Sequence, residues 1–248
     1  MDRTIEARAS VKLQLTELIK PAVTLAQAYA VRRDELVTRE KSAGQFVSEA
    51  DEAIEASIRK AIAERFGNVA IIGEEQGGSL DADASGWAID PIDGTANFLR
   101  GLPMWGISVG LVENGISVAG VLALPESNLV IVAEQNAVLH VNGLPFVRPA
   151  NPLGGRVIAL GENGFESGER TDDRASKLRA QGYSVVRYRS AVFSLASAAL
   201  GRLDGYVEHG CMIWDIAAAS AICRNAGLKT NVMPLGDGRF SIEAIASN

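Results

Sequence analysis

The sequence predicts an α/β protein built as two lobes, residues 1–148 and 149–248. Three observations carry that expectation. Apolar residues recur with the 3.6-residue period of helices before Gly67. Alternating apolar segments flank Asn114-Gly115, a dipeptide suited to the left-handed turn of a β-hairpin. Beyond Gly155, helix-like and strand-like segments take turns, as they do in layered α/β folds.

In chain order, Leu15, Leu18, Ala22, Leu25, Ala26 and Tyr29 share one face of a first helix, with Pro21 as a candidate kink. Asp34 to Gly44 turns polar and predicts a mobile loop. Ile54, Ile58, Ile62 and Phe66 repeat every four residues in a second helix that Gly67 stops, and Ser48 and Asp51 have capping-box spacing at its start. Val69 to Gly73 is a short β-branched run that predicts a buried strand, and Trp87 to Ile89 predicts another, ending at Asp90. Ile107 to Val141 reads as a meander of strands. The turn-rich Arg148 to Gly155 divides the chain. After it come a strand at Val157 to Leu160, a helix near Asp172 to Gln181, a strand at Tyr183 to Tyr188 and a helix at Ala191 to Leu200. A strand at Asp204 to Glu208 and a helix from Trp214 to Asn225 follow, with Gly227 as the stop.

Composition bounds the function. A chain of 248 residues, 47% of them hydrophobic, can bury a sizeable core. Its net charge of −6, with no run of lysine or arginine, argues against nucleic acid as a partner. No signal-like opening and no bilayer-length apolar run occur, so a cytoplasmic protein with no membrane partner is expected. Cys211 and Cys223, the only cysteines, lack metal-ligand spacing and read as plain thiols.

The chemistry gathers in acidic residues. Glu74, Glu75, Asp90 and Asp93 all follow predicted strands, where open sheets present ligands. Two carboxylates about 4 Å apart repel by about 4 kcal/mol at an effective dielectric near 20, so a cluster of them demands cations or protons. Pro91 limits how Asp90 and Asp93 splay, and the Ile92 carbonyl supplies a further hard oxygen donor. An all-oxygen set suits Mg²⁺, with Mn²⁺ as the alternative. Gly94 and Thr95 open a helix whose free amides suit a phosphate. Taken singly, each of these segments also reads as a solvated turn or a charged loop, and Trp214-Asp215 as a helix cap; their joint occurrence favours phosphoryl chemistry.

Gly73-Glu74-Glu75, Asp90-Pro91-Ile92-Asp93-Gly94-Thr95 and Trp214-Asp215 stand in the order seen in the inositol monophosphatase family, which the chain resembles over nearly its whole length. Lys41 to Asp51 resembles the family's lysine loop, Gly201 to Gly210 the segment before its last metal aspartate, and Ala244 to Asn248 its terminal strand. The resemblance implies a layered αβαβα sandwich of the kind shared with fructose-1,6-bisphosphatase. It also implies a lithium-sensitive, Mg²⁺-dependent phosphomonoesterase with two or three metal ions, and a homodimer. Glu74, Asp90 and the Ile92 carbonyl would hold the first metal; Asp90, Asp93 and Asp215 would hold the second. Asp51 and Thr95 match a pair that, with Glu74, orients the attacking water. Asp93, Gly94, Thr95, Ser190, Ala191 and Glu208 would meet the substrate, a small phosphate monoester, with inositol monophosphate foremost.

Departures from the family pattern bear on substrate choice. Arg189 stands where glycine is usual, Ser194 replaces Asp or Asn, and Gln45 replaces an aspartate of the lysine loop. Arg100-Gly101 is closer to the histidinol-phosphate phosphatases of the same superfamily, which makes histidinol phosphate the alternative substrate. A 3′-phosphonucleotide ranks only third, because Ala96-Asn97-Phe98 is unlike the lysine-glutamate form typical of that branch. A different class of function, an interaction protein built on this fold, is also open. Neither His140 nor His209 has an evident nucleophile partner, so serine or cysteine covalent catalysis is not expected.

Overall fold

A computed structural model describes residues 3–42, 45–80, 85–151 and 154–247. The chain opens with helix α1 (Arg3–Val31), a ribbon of strands β1 (Thr38–Ser42) and β2 (Gln45–Ser48), and helix α2 (Glu49–Phe66). There follow β3 (Ala70–Gly73), β4 (Gly86–Asp93), α3 (Thr95–Leu99), β5 (Gly106–Glu113), β6 (Ile116–Leu124), β7 (Leu129–Glu134), β8 (His140–Val141) and β9 (Leu144–Pro145). The remainder alternates: β10 (Arg156–Leu160), α4 (Gly168–Ala180), β11 (Tyr183–Val186), α5 (Ala191–Ala199), β12 (Gly205–Met212), α6 (Ile213–Asn225), β13 (Leu228–Gly236) and β14 (Arg239–Ala246).

Strands β3 to β9 form one seven-stranded sheet in sequence order, and a five-stranded sheet runs β11-β10-β12-β14-β13. Side-chain alternation sorts the helices into layers. Leu15, Leu18, Ala22, Ile54, Ile58 and Ile62 of α1 and α2 join Ile89, Val109 and Val121 on one face of the first sheet. Helices α5 and α6 fill the space between the sheets, touching Leu122 and Ile131 on one side and Tyr206 and Ile242 on the other. Helix α4 covers the outer face of the second sheet through Ala175 and Leu178. The result is the αβαβα sandwich.

Helix α6 lies unusually close to the first sheet. A Cβ on Gly120 would fall 2.4 Å from the Cα of Ala218, and one on Gly110 would fall 2.5 Å from its backbone nitrogen. Small residues on both surfaces therefore permit the contact. Gly120→Val is expected to lose about 3 kcal/mol of stability through overpacking; an unchanged urea midpoint would show that this contact is not tight in solution.

Several expectations are corrected. Asp34 to Gly44 is not simply a loop: Thr38–Ser42 pairs antiparallel with β2, the stretch that leads into α2. The strand at Val69 to Gly73 is only partly buried, because β3 is the edge of its sheet. Helix α4 begins at Gly168, capped by Ser167. Strand β12 runs on to Met212, and β13 carries too little apolar alternation to stand out in the sequence. The largest correction concerns β4, which does not end at Asp90 but continues to Asp93. Ala43, Gly44, Pro152, Leu153, Asn248 and the side chain of Gln45 lie outside the described residues.

Candidate active site

Residues three apart on a regular strand face opposite sides of the sheet. Asp90 and Asp93 escape that rule. Asp90 stands opposite Ser108 and Asp93 opposite Gly106, so Pro91 and Ile92 together oppose Ile107 alone. This extra residue is a β-bulge, and it inverts the alternation so that both carboxylates face the α6 side. The bulge also accommodates Pro91, which has no N–H for the ladder.

Beyond the bulge, Gly94 takes a left-handed conformation (φ 86°) and turns the chain into α3. Thr95 Oγ1 then lies 2.9 Å from the Ile92 carbonyl and 3.2 Å from Asp51 Oδ1. Asp51 comes from the first turn of α2. Its other oxygen accepts from the Ser48 amide at 2.8 Å and the Ser48 hydroxyl at 2.6 Å, as the capping-box spacing predicts. Burial pushes the Asp51 carboxyl up to about 6, against those hydrogen bonds, with Glu74 adding repulsion.

The second half of the chain closes the site. Asp93 Oδ2 accepts from the Ser190 hydroxyl and from the Val192 amide at 2.7 Å, which ties β4 to the start of α5. Asp215 sits in the first turn of α6, and its Oδ2 accepts from the Met212 amide at 2.7 Å. Glu208 on β12 is buried, with Oε2 accepting from the Tyr206 hydroxyl and Oε1 from Asn163 Nδ2 at 2.9 Å. A cavity of about 160 Å³ brings Glu74, Asp90, Asp93, Thr95, Glu208 and Asp215 together, and Ile92, Gly94, Ser190 and Ala191 also reach it.

The electrostatics are unfavourable as they stand. Asp90 is buried, and its Oδ1 has no hydrogen-bond partner. Burial, followed by repulsion from Glu74, Asp93 and Asp215, holds its carboxyl well above the usual range. Burial also pushes Asp93 up to about 7 against its hydrogen bonds from Ser190 and Val192, with Glu208 and Glu74 adding repulsion. Asp215 is raised by burial and by Glu208, Asp93 and Glu74.

Among the described residues no three acidic, histidine or cysteine side chains already stand as a ready-made ligand set. Several oxygens are instead committed to protein donors: those of Asp93 and Asp215 to backbone amides, and Glu74 to Lys41 at 3.3 Å. The donor set nevertheless fits a hard divalent cation. It is oxygen-only, overloaded with negative charge, and includes the partnerless Asp90 Oδ1.

Lys41 pairs more closely with Glu75, at 2.6 Å, than with Glu74. Burial works to lower the Lys41 pKa, but the two glutamates outweigh it and raise it. Asn163 and Tyr206, which grip Glu208, carried no signal in the sequence. Arg189 is exposed, in the left-handed region at φ 56°, and lines the cavity mouth. His209 lies against Phe165 and 3.9 Å from Glu166, and Cys211 donates to the Phe240 carbonyl, so neither is arranged as part of a nucleophilic pair.

The model of the inositol monophosphatase family matches residues 5–243. An inositol-1-monophosphatase of Mycobacterium bovis is 32% identical over 220 residues, 82% of this chain and 76% of the relative. A protein named Nus factor SuhB from Xylella fastidiosa is 35% identical over 195 residues, 76% of this chain and 69% of the relative. Among solved structures, the extragenic suppressor protein suhB of Bartonella henselae superposes with a TM-score of 0.81 at 26% identity, covering 94% of this chain and 93% of that one.

Proposed function

The chain belongs to the inositol monophosphatase family, and from that premise we propose that it is a Mg²⁺-dependent phosphatase of small polyhydroxylated phosphate esters, inositol monophosphate foremost. The observation that carries this reading is the bulge at Pro91-Ile92, which turns Asp90 and Asp93 toward Asp215 and Glu74 in one cavity beside Thr95. Glu74, Asp90 and the Ile92 carbonyl would hold one Mg²⁺; Asp90, Asp93 and Asp215 would hold another. Bound there, the ions acidify water and neutralise charge on the phosphoryl oxygens and the leaving alkoxide.

The chain's own residues do the rest. Thr95 has one hydroxyl proton and two acceptors within reach, Asp51 Oδ1 and the Ile92 carbonyl. By donating to Asp51 it turns a lone pair toward the cavity, where it accepts from the attacking water and aims it. Asp51 stands at the end of this line of hydrogen bonds and receives the proton that it carries away. The amides at the start of α3 would donate to the phosphate oxygens.

Substrate selection falls to the other side of the cavity. Glu208 has both oxygens engaged by Tyr206 and Asn163, so it is held as a fixed acceptor for substrate hydroxyls. Arg189 at the mouth, and Arg100 beside it in an adjoining cavity, oppose the ammonium of histidinol phosphate. We expect kcat/KM for inositol 1-phosphate to exceed that for histidinol phosphate and for 3′-phosphoadenosine 5′-phosphate at least tenfold, about 1.4 kcal/mol of transition-state binding. A reversed order would overturn the substrate assignment.

The relatives named Nus factor favour a second reading, in which the chain acts through macromolecular contacts. Phosphate release separates the two, because a binding module would hydrolyse none of the three esters. A homodimer is also part of the proposal, tested by light scattering. No helix among the described residues is long and apolar enough to cross a membrane.

A further inference from the structure

Helix α2 presents two fully buried carboxylates one turn apart, Asp51 and Glu55. Asp51 faces Thr95, whereas Glu55 turns toward backbone. Its Oε2 accepts from the Glu75 amide at 2.8 Å, and its Oε1 accepts from the Gln76 amide at 3.2 Å and from Arg59 Nε at 2.7 Å. Arg59, one turn further along α2, also donates through Nη2 to the Gly77 carbonyl at 2.6 Å. The turn is closed on itself by reciprocal bonds between Gly73 and Gly77, at 2.9 and 3.1 Å. On its other side the Glu74 amide donates to the Ile89 carbonyl at 3.2 Å.

We propose that Glu55, together with Arg59, is a positioning residue that sets Glu74 at the metal centre by clamping the backbone of the 73–77 turn. The proposal rests on the reading of Glu74 as a metal ligand. Glu74 is thereby fixed between β4 on one side and α2 on the other, although Glu55 does not touch its carboxylate. This differs from the role of Lys41, which pairs with the Glu74 carboxylate itself and so competes with a cation for it. A clamp on the backbone orients the ligand without that competition, as hydrogen bonds beyond the ligand shell do at metal sites.

The glycine before the two glutamates follows from the same geometry. A Cβ on Gly73 would fall 2.2 Å from Glu55 Oε1 and 2.9 Å from Arg59 Nη2. The carboxylate of Glu55 occupies the place a side chain would take. Gly73→Ala must therefore displace Glu55 and reproduce the effect of changing Glu55 itself.

The test uses the full chain, Glu55→Gln, Gly73→Ala and Arg59→Lys. The glutamine keeps the volume but replaces one acceptor with a donor; the lysine keeps the charge but loses the fork that spans Glu55 and Gly77. Amide hydrogen exchange and Mn²⁺ binding followed by electron paramagnetic resonance are measured without substrate, alongside Mg²⁺ activation of turnover. We expect faster exchange confined to residues 73–77 and Mn²⁺ affinity weaker by about 10- to 100-fold. Half-activating Mg²⁺ should rise in parallel, with kcat largely recovered at saturation. Unchanged exchange in the turn would refute the clamp, and faster exchange with unchanged Mn²⁺ affinity would refute its effect on Glu74. If Glu55→Gln does not fold, Gly73→Ala and Arg59→Lys decide by the same readouts. Wild-type protein that binds no Mn²⁺ would instead remove the premise, an outcome recognisable because it precedes any variant.

Discussion

Asp90→Asn is expected to lower kcat by about 10³-fold at saturating Mg²⁺ while making the metal-free protein more stable. Asp90 is the residue assigned to both metals, and losing about 4 kcal/mol of transition-state charge stabilisation corresponds to that factor. The stabilisation has the opposite origin. In the metal-free fold Asp90 is buried, with Oδ1 lacking a partner, among Glu74, Asp93 and Asp215. An amide of the same shape carries no charge to repel them.

The same argument fixes a pH dependence. The carboxyls of Asp90, Asp93 and Asp215 are raised in the folded state, Asp93 to about 7. Between the ordinary carboxylate range near 4 and that value, the folded protein binds more protons than the unfolded chain. Stability is therefore present at low pH and lost as pH rises through this window. Melting in chelator at pH 5 and pH 7.5 should show a fall in Tm for the wild type and a smaller one for Asp90→Asn. Equal slopes, or an unchanged kcat, would count against the assignment of Asp90.

Chelation should remove turnover of inositol 1-phosphate altogether, and added Mg²⁺ should restore it. The donors assigned to the metals are carboxylates and the Ile92 carbonyl, which bind hard divalent ions and, without them, offer an incoming phosphate dianion no compensating positive charge at that end of the cavity. Li⁺ should inhibit, by competing at the site formed by Asp90, Asp93 and Asp215. Full turnover in excess chelator would exclude this mechanism, and chelator-resistant binding of inositol phosphate would place phosphate recognition on the α3 amides alone.

The capping box at Ser48 and Asp51, the hairpin at Asn114-Gly115 and the apolar stripe of α2 were all legible in the sequence, because each depends on residues a few positions apart. The acidic segments were legible for the same reason: spacing and residue type alone present Asp90, Asp93 and Glu74 as candidates. The shared face of Asp90 and Asp93 was not, since it depends on a bulge defined by pairing with Ser108 and Gly106 on another strand. Nor was the bond from Ser190 to Asp93, 97 positions apart, or the hold of Tyr206 and Asn163 on Glu208. The Glu55 clamp was hidden although Glu55 lies one turn from Asp51 and four residues from Arg59, because the partners that make it a clamp are the Glu75 and Gln76 amides, and backbone groups leave no trace in residue type. By itself, then, the sequence determined the donor chemistry and the local elements, which short-range hydrogen bonding and periodicity dictate. Only the tertiary structure decided their convergence, because that requires α6 to cross the first sheet at Gly110 and Gly120 and carry Asp215 to the aspartates of β4.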